Sequence, residues 1–158
     1  MKLWRLPWQL TIWSQILIGK PFGAKHHERA MTSTEYVLAR QATDYIKSIL
    51  PETIPLPQLG VICGSGLNSL VSTFSEPQLS LPYVDIPNFP VSTITGHESR
   101  LVFGTLGKKR TPIVAMVGRV HFYEGYDMSR VGFPIRVLCL LGIKILIGLY
   151  STVTIVDS

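Results

Sequence analysis

What this sequence has little of narrows its function first. Charged residues make up 16% of the 158, a low share for a soluble protein, and the only basic run is Lys108-Lys109-Arg110. That triplet lies between two apolar runs, which places it in a solvated hairpin turn rather than on a contact patch. Acidic residues are nearly missing from the first 30 positions, where Lys2, Arg5, Lys20, Lys25 and Arg29 face Glu28 alone. Almost all of the net charge of +5 therefore belongs to that segment, and the rest of the chain is close to neutral. A nucleic-acid-binding protein would carry its basic charge on a face of the folded part, so no nucleic-acid partner is expected. Cysteine is scarce too: Cys63 and Cys139 sit inside apolar segments and read as buried, reduced thiols, with no metal-ligand spacing. Such usage suits a reducing compartment such as the cytoplasm. An uninterrupted apolar run long enough to span a membrane is also missing, since residues 3–18 are broken by Arg5, Pro7, Gln9, Ser14 and Gln15. Repeats, low-complexity tracts, the Gly-Lys-Ser/Thr of a P-loop and the spacing of the dinucleotide fingerprint are all lacking.

Tryptophan is lacking beyond residue 13, because Trp4, Trp8 and Trp13 all fall in the basic opening segment. Residues 1–30 are thus different material from the remainder, and three readings stay open. The segment has the basic, acid-poor character of a mitochondrial presequence. It also has the tryptophans of an interfacial amphipathic helix. Or it is a disordered or misassigned extension, with Met31 as the true start. Its polarity makes membrane contact a weak expectation. The expected organisation is a non-family extension over 1–30, one folded unit over 31–148 and a divergent tail over 149–158. At 158 residues the chain is at most one domain of common size.

Within the folded unit, Thr32-Ser33-Thr34-Glu35 has the form of a capping box. Leu38, Ala42, Tyr45, Ile46 and Ile49 follow at helical spacing until Pro51, Pro55 and Pro57 end the helix. Leu59-Gly60-Val61-Ile62-Cys63 is a short apolar run, the pattern of a buried strand, and Gly64-Ser65-Gly66 turns directly after it. Pro82, Pro87 and Pro90 mark an irregular connection. The spacing predicts two strands, at residues 100–106 and 112–117, joined by the turn Gly107-Lys108-Lys109-Arg110. A polar, aromatic loop over 119–127 leads to a helix that Ser129 can cap. Pro134 falls in the first turns of that helix, where proline is better tolerated. Gly142 stops it, and Ile143-Lys144-Ile145-Leu146-Ile147 forms a last strand. Strands alternating with helices give an α/β fold.

Three segments carry residues able to do chemistry. After the first strand, Cys63-Gly64-Ser65-Gly66-Leu67 can fold so that successive amide hydrogens and the Ser65 hydroxyl point at one anion. After a later strand, Gly118-Arg119-Val120-His121-Phe122-Tyr123-Glu124-Gly125 gathers a guanidinium, an imidazole, a phenol and a carboxylate within six residues, bracketed by glycines. Ligands bind outside the carboxyl ends of strands in α/β sheets, and Arg119 can grip a phosphate through two parallel hydrogen bonds. The third segment is Thr95-Gly96-His97-Glu98. Taken singly, each also fits a plain turn or surface loop.

Taken together, these segments resemble the purine nucleoside phosphorylase family. The matching stretches are Val61-Ile62-Cys63-Gly64-Ser65-Gly66-Leu67, Ile86-Pro87-Asn88-Phe89-Pro90, Gly96-His97 and Arg100-Leu101-Val102-Phe103-Gly104. Gly118-Arg119-Val120-His121-Phe122-Tyr123-Glu124-Gly125-Tyr126, Phe133-Pro134-Ile135-Arg136-Val137 and Leu140-Leu141-Gly142 complete the series. They occur in family order over residues 34–147. The Tyr-Glu-Gly loop after Gly-Arg-x-His is similar to the trimeric purine branch, whereas the related methylthioadenosine phosphorylases carry a different loop there. The implied fold is a mixed central sheet flanked by helices, nucleoside phosphorylase-like and truncated.

The resemblance implies that inorganic phosphate attacks the anomeric carbon of a purine nucleoside, giving the free base and ribose 1-phosphate. It implies that Ser65 and its neighbouring amides bind phosphate, that Arg119 clamps it, that His121 contacts it and that His97 closes over it. Tyr123 would touch the ribose, and Glu124 would position His121. No metal or organic cofactor is implied; phosphate is a co-substrate, and the family assembles as homotrimers. Three departures stand out. Asn68 replaces a second glycine, Thr95 replaces a proline, and Leu149-Tyr150-Ser151-Thr152-Val153-Thr154 replaces the family's Thr-Asn-Ala-Ala-Gly-Gly. The groups that grip the purine belong to a half of the family fold beyond this sequence. Two expectations follow: that the chain alone turns over little or no nucleoside and exposes strand edges meant to be covered, or that it is a non-catalytic fragment that associates with full-length phosphorylase subunits.

Overall fold

The computed structural model of the chain describes residues 33–64, 68–92 and 99–148. The extension over 1–30, the Thr32 end of the expected capping box, Ser65, Thr95, His97 and the tail from 149 onward lie outside the described residues.

The first helix, α1 (Ser33–Ile49), turns its apolar stripe inward, with Ala39, Ala42 and Ile46 fully buried. Thr43, on the same buried side, donates its hydroxyl to the Ala39 carbonyl at 2.8 Å, so burying it leaves no unmet donor. Strand β1 (Leu59–Cys63) enters the sheet between two later strands. Gln58 fixes this entry: its amide donates to the Pro112 carbonyl at 3.0 Å, and its carbonyl accepts from the Lys144 amide at 2.8 Å. The remaining strands are β2 (Ser75–Pro82), β3 (Arg100–Leu106), β4 (Thr111–Val117) and β5 (Ile145–Gly148). Their spatial order is β2-β3-β4-β1-β5, with β1 parallel to both β4 and β5, while β2–β3 and β3–β4 are antiparallel. The sheet is therefore mixed, as expected.

Period-two alternation divides the strands between two faces. Leu101, Phe103, Val114 and Met116 pack on one face with Ile46 of α1 and with Val137, Leu138 and Leu141 of the second helix, α2 (Met128–Leu141). Val61, Cys63, Val102, Ile113, Ala115 and Val117 fill the other face under Val71 and Phe74. Both described helices thus cover the same face. The other face is closed by the short 3-10 turn Asn68–Thr73 and by Phe74. Strands β3 and β4, buried on both sides, read as nearly continuous apolar runs for that reason.

Two of the sequence expectations shift. Asp127, not Ser129, caps α2: its Oδ1 accepts from the Arg130 amide at 2.7 Å, so the helix begins at Met128. Both residue types cap well. Asp127 stands first, and Ser129 is left inside the helix, where its hydroxyl donates to the Glu35 carboxylate. Glu35 also receives Arg136 Nη1 at 2.9 Å, so this carboxylate ties α1 to α2. Strand β2 occupies a stretch to which the sequence reading gives no element, and it ends at Pro82, where the irregular connection begins. It is an edge strand carrying Pro77 and Pro82, with a register shift against β3 between Ser75 and Leu79, and both an edge and a bulge tolerate proline.

The end of α2 follows expectation. Gly142 takes φ 102°, its amide bonds the Cys139 carbonyl at 3.0 Å and the Ile143 amide bonds the Leu138 carbonyl at 3.3 Å. This is a Schellman closure, which requires a left-handed residue. It consumes Ile143, so β5 starts at Ile145. The hairpin turn is also as expected: the Arg110 amide bonds the Gly107 carbonyl at 2.9 Å and Gly107 has φ 72°.

Candidate active site

The site follows from strand direction. Because β1 and β4 are adjacent and parallel, with Cys63 opposite Val117, the chain leaves both strands at the same end of the sheet. One exit leads into Gly64 and toward Ser65. The other leads into Gly118, whose φ of 82° turns the chain sharply before Arg119. The structure therefore brings the base of the glycine corner beside the base of the arginine loop. Arg119 and His121 are half-buried there.

Beyond Arg119 the loop forms a 3-10 turn, Phe122–Glu124, closed by Gly125 at φ 88°. The rings of His121 and Tyr123 stack, with centroids 4.8 Å apart and planes 14° from parallel. Two residues given separate expected tasks thus present one continuous surface. Tyr123 is 72% exposed, which leaves its phenol open to a ligand. Glu124 does reach His121, through the main chain: its Oε1 accepts from the His121 amide at 2.8 Å. Its other oxygen accepts from the Ser92 hydroxyl, also at 2.8 Å. The carboxylate thus fixes the His121 backbone and joins this loop to the segment that runs on to His97.

Further contacts fasten the same loop to residues 83–92. The Tyr83 hydroxyl donates to the Gly118 carbonyl at 2.8 Å, Tyr126 donates to the Val91 carbonyl at 2.7 Å, and Arg130 Nη1 donates to the Asn88 carbonyl at 3.2 Å. Phe89 anchors the 83–92 segment in the core, with its ring 5.1 Å from Tyr83 and 5.9 Å from Phe133 of α2. The Ile86-Pro87-Asn88-Phe89-Pro90 and Phe133-Pro134 motifs therefore serve packing, and through packing they seat the loop. Tyr83, Ser92 and Arg130 went unmarked in the sequence, and Tyr126 was marked only as part of a matching stretch, with no role. Three of the four reach backbone carbonyls, for which no residue pattern exists.

Burial also sets the ionisation of groups near the site. It pushes the Cys63 thiol up, and it raises the Tyr83 phenol above the usual tyrosine range, with the nearby Cys63 adding to the effect. In α2, burial pushes Cys139 up to about 11. All three stay protonated near neutral pH, and both thiols are free and buried. Among the described residues no group of three or more His, Cys, Asp or Glu is placed to hold a metal ion, and no helix is long and apolar enough to cross a membrane.

Known proteins resemble this chain in sequence and in fold. The chain is 42% identical over 112 residues to a putative purine nucleoside phosphorylase of Schizosaccharomyces pombe, a match that covers 71% of this chain and 36% of that protein. It is 49% identical over 107 residues to purine nucleoside phosphorylase 1 of Bacillus subtilis, covering 68% of this chain and 37% of the other. The fold is similar to that of isoform 2 of purine nucleoside phosphorylase from Schistosoma mansoni, solved with cytosine and ribose 1-phosphate. There the TM-score is 0.62 and the identity 46%, over 70% of this chain and 37% of that one. The chain thus spans a little over a third of the length of these relatives. A sequence model described as the Phosphorylase superfamily matches residues 58–149. That stretch runs from the entry of β1 past the end of β5 and takes in both glycine-led exits, and the chain belongs to this superfamily.

Proposed function

We propose that the protein serves the phosphorolysis of purine nucleosides, and that the residues present here form its phosphate and ribose end. The observation that carries this reading is the parallel pairing of β1 with β4, which sets the Gly64 corner and the Gly118-Arg119 corner side by side. An oxyanion seated between them would meet the amides and hydroxyl around Ser65 on one side and the Arg119 guanidinium on the other. Fixed donors of this kind hold phosphate as an oriented nucleophile beneath a sugar that gains positive charge as the base departs. His121 would contact the same phosphate, and His97 would close over it. Tyr123, stacked on His121, would support the ribose, while Glu124 holds the His121 backbone. The ribose 1-phosphate held by the Schistosoma mansoni relative is the product this chemistry would give. Phosphate is then a co-substrate, with no metal or organic cofactor. Assembly as a homotrimer and a cytoplasmic location belong to the same reading. Nothing in these residues separates inosine, guanosine and adenosine, since they face phosphate and sugar rather than base.

The chain as given should bind inorganic phosphate saturably, yet convert inosine and phosphate to hypoxanthine slowly or not at all. Two observations support the second half. Residues 149–154 depart from the family's small-residue run, and about two thirds of each relative lies outside the match. Calorimetric titration with phosphate tests the first half, and lack of saturable binding would overturn the reading. A coupled assay for hypoxanthine tests the second, and turnover near that of an intact relative would refute it. A non-catalytic role beside full-length subunits draws support from β5, which ends the sheet with Ile145 half exposed. Co-purification with an intact phosphorylase would favour that role.

A further inference from the structure

We propose that Tyr83 is a positioning residue: a buried strut that sets the relative placement of the three segments bearing the phosphate-contacting groups. This rests on the phosphorolysis reading for its purpose, but not for its geometry. Tyr83 opens the 3-10 turn Tyr83–Asp85 at the end of β2 and is 1% exposed. Its hydroxyl donates to the Gly118 carbonyl at 2.8 Å, the last peptide oxygen before Arg119. Its amide donates to the Ser99 carbonyl at 2.8 Å, where the chain returns from the segment that contains His97. Gly118 follows Val117, and through that residue the bond reaches the first strand. Cys63 ends β1 opposite Val117, directly before the Gly64 corner.

One side chain and its own amide thus bond the roots of two segments and reach the third through the β1–β4 pairing. The two direct contacts are to carbonyls, so the strut acts on backbone rather than on side chains. The ring is in turn held by Phe89, which packs edge-on against Phe133 of α2. The strut therefore stands on the core. Because burial keeps the phenol protonated, the donor persists throughout the physiological pH range.

Two measurements on the full chain test this. Tyr83→Phe keeps the ring and removes the donor, and Tyr83→4-aminophenylalanine restores a donor at the same place. Hydrogen exchange followed by mass spectrometry should show faster exchange around 64, 99–100 and 118–120 in the phenylalanine variant. Rates in α1 and in the middle of β4 should be unchanged, and the amino analogue should recover the slow rates. Change confined to 83–89, or spread evenly over the chain, would overturn the strut. If the phenylalanine variant does not fold, the wild-type hydroxyl proton decides instead. A cross-peak between that proton and the Arg119 amide, with slow exchange against water, supports the proposal, and rapid exchange overturns it.

Phosphate titration is the second readout. Tyr83→Phe should weaken inorganic phosphate binding about fivefold to tenfold, the size of one hydrogen bond's net contribution. Unchanged affinity alongside loosened exchange would refute the positioning role. Absence of phosphate binding in the wild-type chain would instead sink the phosphorolysis reading, and exchange alone would then judge the strut.

Discussion

The two turns that bracket β4 make an instructive pair. Each is led by glycine, carries arginine and is solvent-facing in sequence: Gly107-Lys108-Lys109-Arg110 before the strand, and Gly118-Arg119 with its loop after it. The first is almost wholly local. Its defining bond joins Arg110 to Gly107, its residues are exposed, and among the described residues its distant tie runs from Arg110 to the Glu76 carbonyl on the neighbouring edge strand. The second is fastened from outside by Tyr83, Ser92, Tyr126 with Val91, and Arg130 with Asn88, over separations of more than thirty residues. A turn that only reverses the chain needs its own hydrogen bond and a residue that tolerates positive φ. A loop that must present side chains to a ligand has to be held at both flanks by rigid structure. Long-range fastening, rather than charge, tells the two apart.

The largest expected consequence of that difference lies in anion binding. Arg119→Ala should weaken inorganic phosphate binding by more than tenfold, because a charge-assisted pair contributes about 1.5–3 kcal/mol. Arg110→Ala, although it removes the same charge from the other end of the strand, should change affinity less than about twofold once screening at ordinary ionic strength is in place. Calorimetric titration at fixed salt checks both. Equal losses would mean that net charge, not geometry, attracts the phosphate, and the contrast between the turns would be void.

Stability should divide in the same way, by a smaller amount. Glu124 is half-buried and receives two bonds, from the His121 amide and the Ser92 hydroxyl. Its replacement by alanine leaves both donors short of a charged acceptor and should cost about 1–3 kcal/mol of unfolding free energy. Glu76 is exposed, and its Oε2 accepts from Gln78 two residues on. Glu76→Ala should stay within about 0.5 kcal/mol, as surface changes do. Urea melts of the three proteins, compared at constant m-value, decide the matter. A Glu124 variant as stable as the wild type would show that the latch carries little load.

How much of this could be read from sequence follows the same division between local and distant causes. The helix α1, strands β1, β3 and β4, and the β3–β4 hairpin were legible because each rests on a periodicity or a turn residue within a few positions. So was the exit geometry at Gly64 and Gly118, since glycines after apolar runs announce a turn. Strand β2 was hidden because Pro77 and Pro82, together with Glu76, Gln78 and Ser80, mimic a loop. Its edge position and the register shift between Ser75 and Leu79 make those residues acceptable. The strut and latches were hidden for another reason. Tyr83 and Tyr126 bond carbonyl oxygens 35 residues away, and a carbonyl is common to every residue. Ser92 and Glu124 are unremarkable singly, and only the fold makes them partners. Stacking of His121 on Tyr123 follows from the 3-10 turn between them, which the sequence presents simply as a polar loop.

The smallest effect concerns where the fastened loop hands over to α2. The sequence reading gives the start of that helix to Ser129, and the structure gives it to Asp127, which accepts from the Arg130 amide, while Ser129 donates to Glu35. Asp127→Ala should cost about 1 kcal/mol, the usual loss for an N-cap, and the first turn of α2 should fray. Fraying frees Arg130, whose guanidinium bonds the Asn88 carbonyl, so hydrogen exchange should quicken at 128–131 and, more weakly, around 88. Ser129→Ala removes no cap. It should leave exchange at 128–131 slow and act instead at the α1–α2 contact, through Glu35 and Arg136. If Ser129→Ala frays the first turn and Asp127→Ala does not, the helix begins where the sequence first suggested, and the junction between loop and helix must be redrawn.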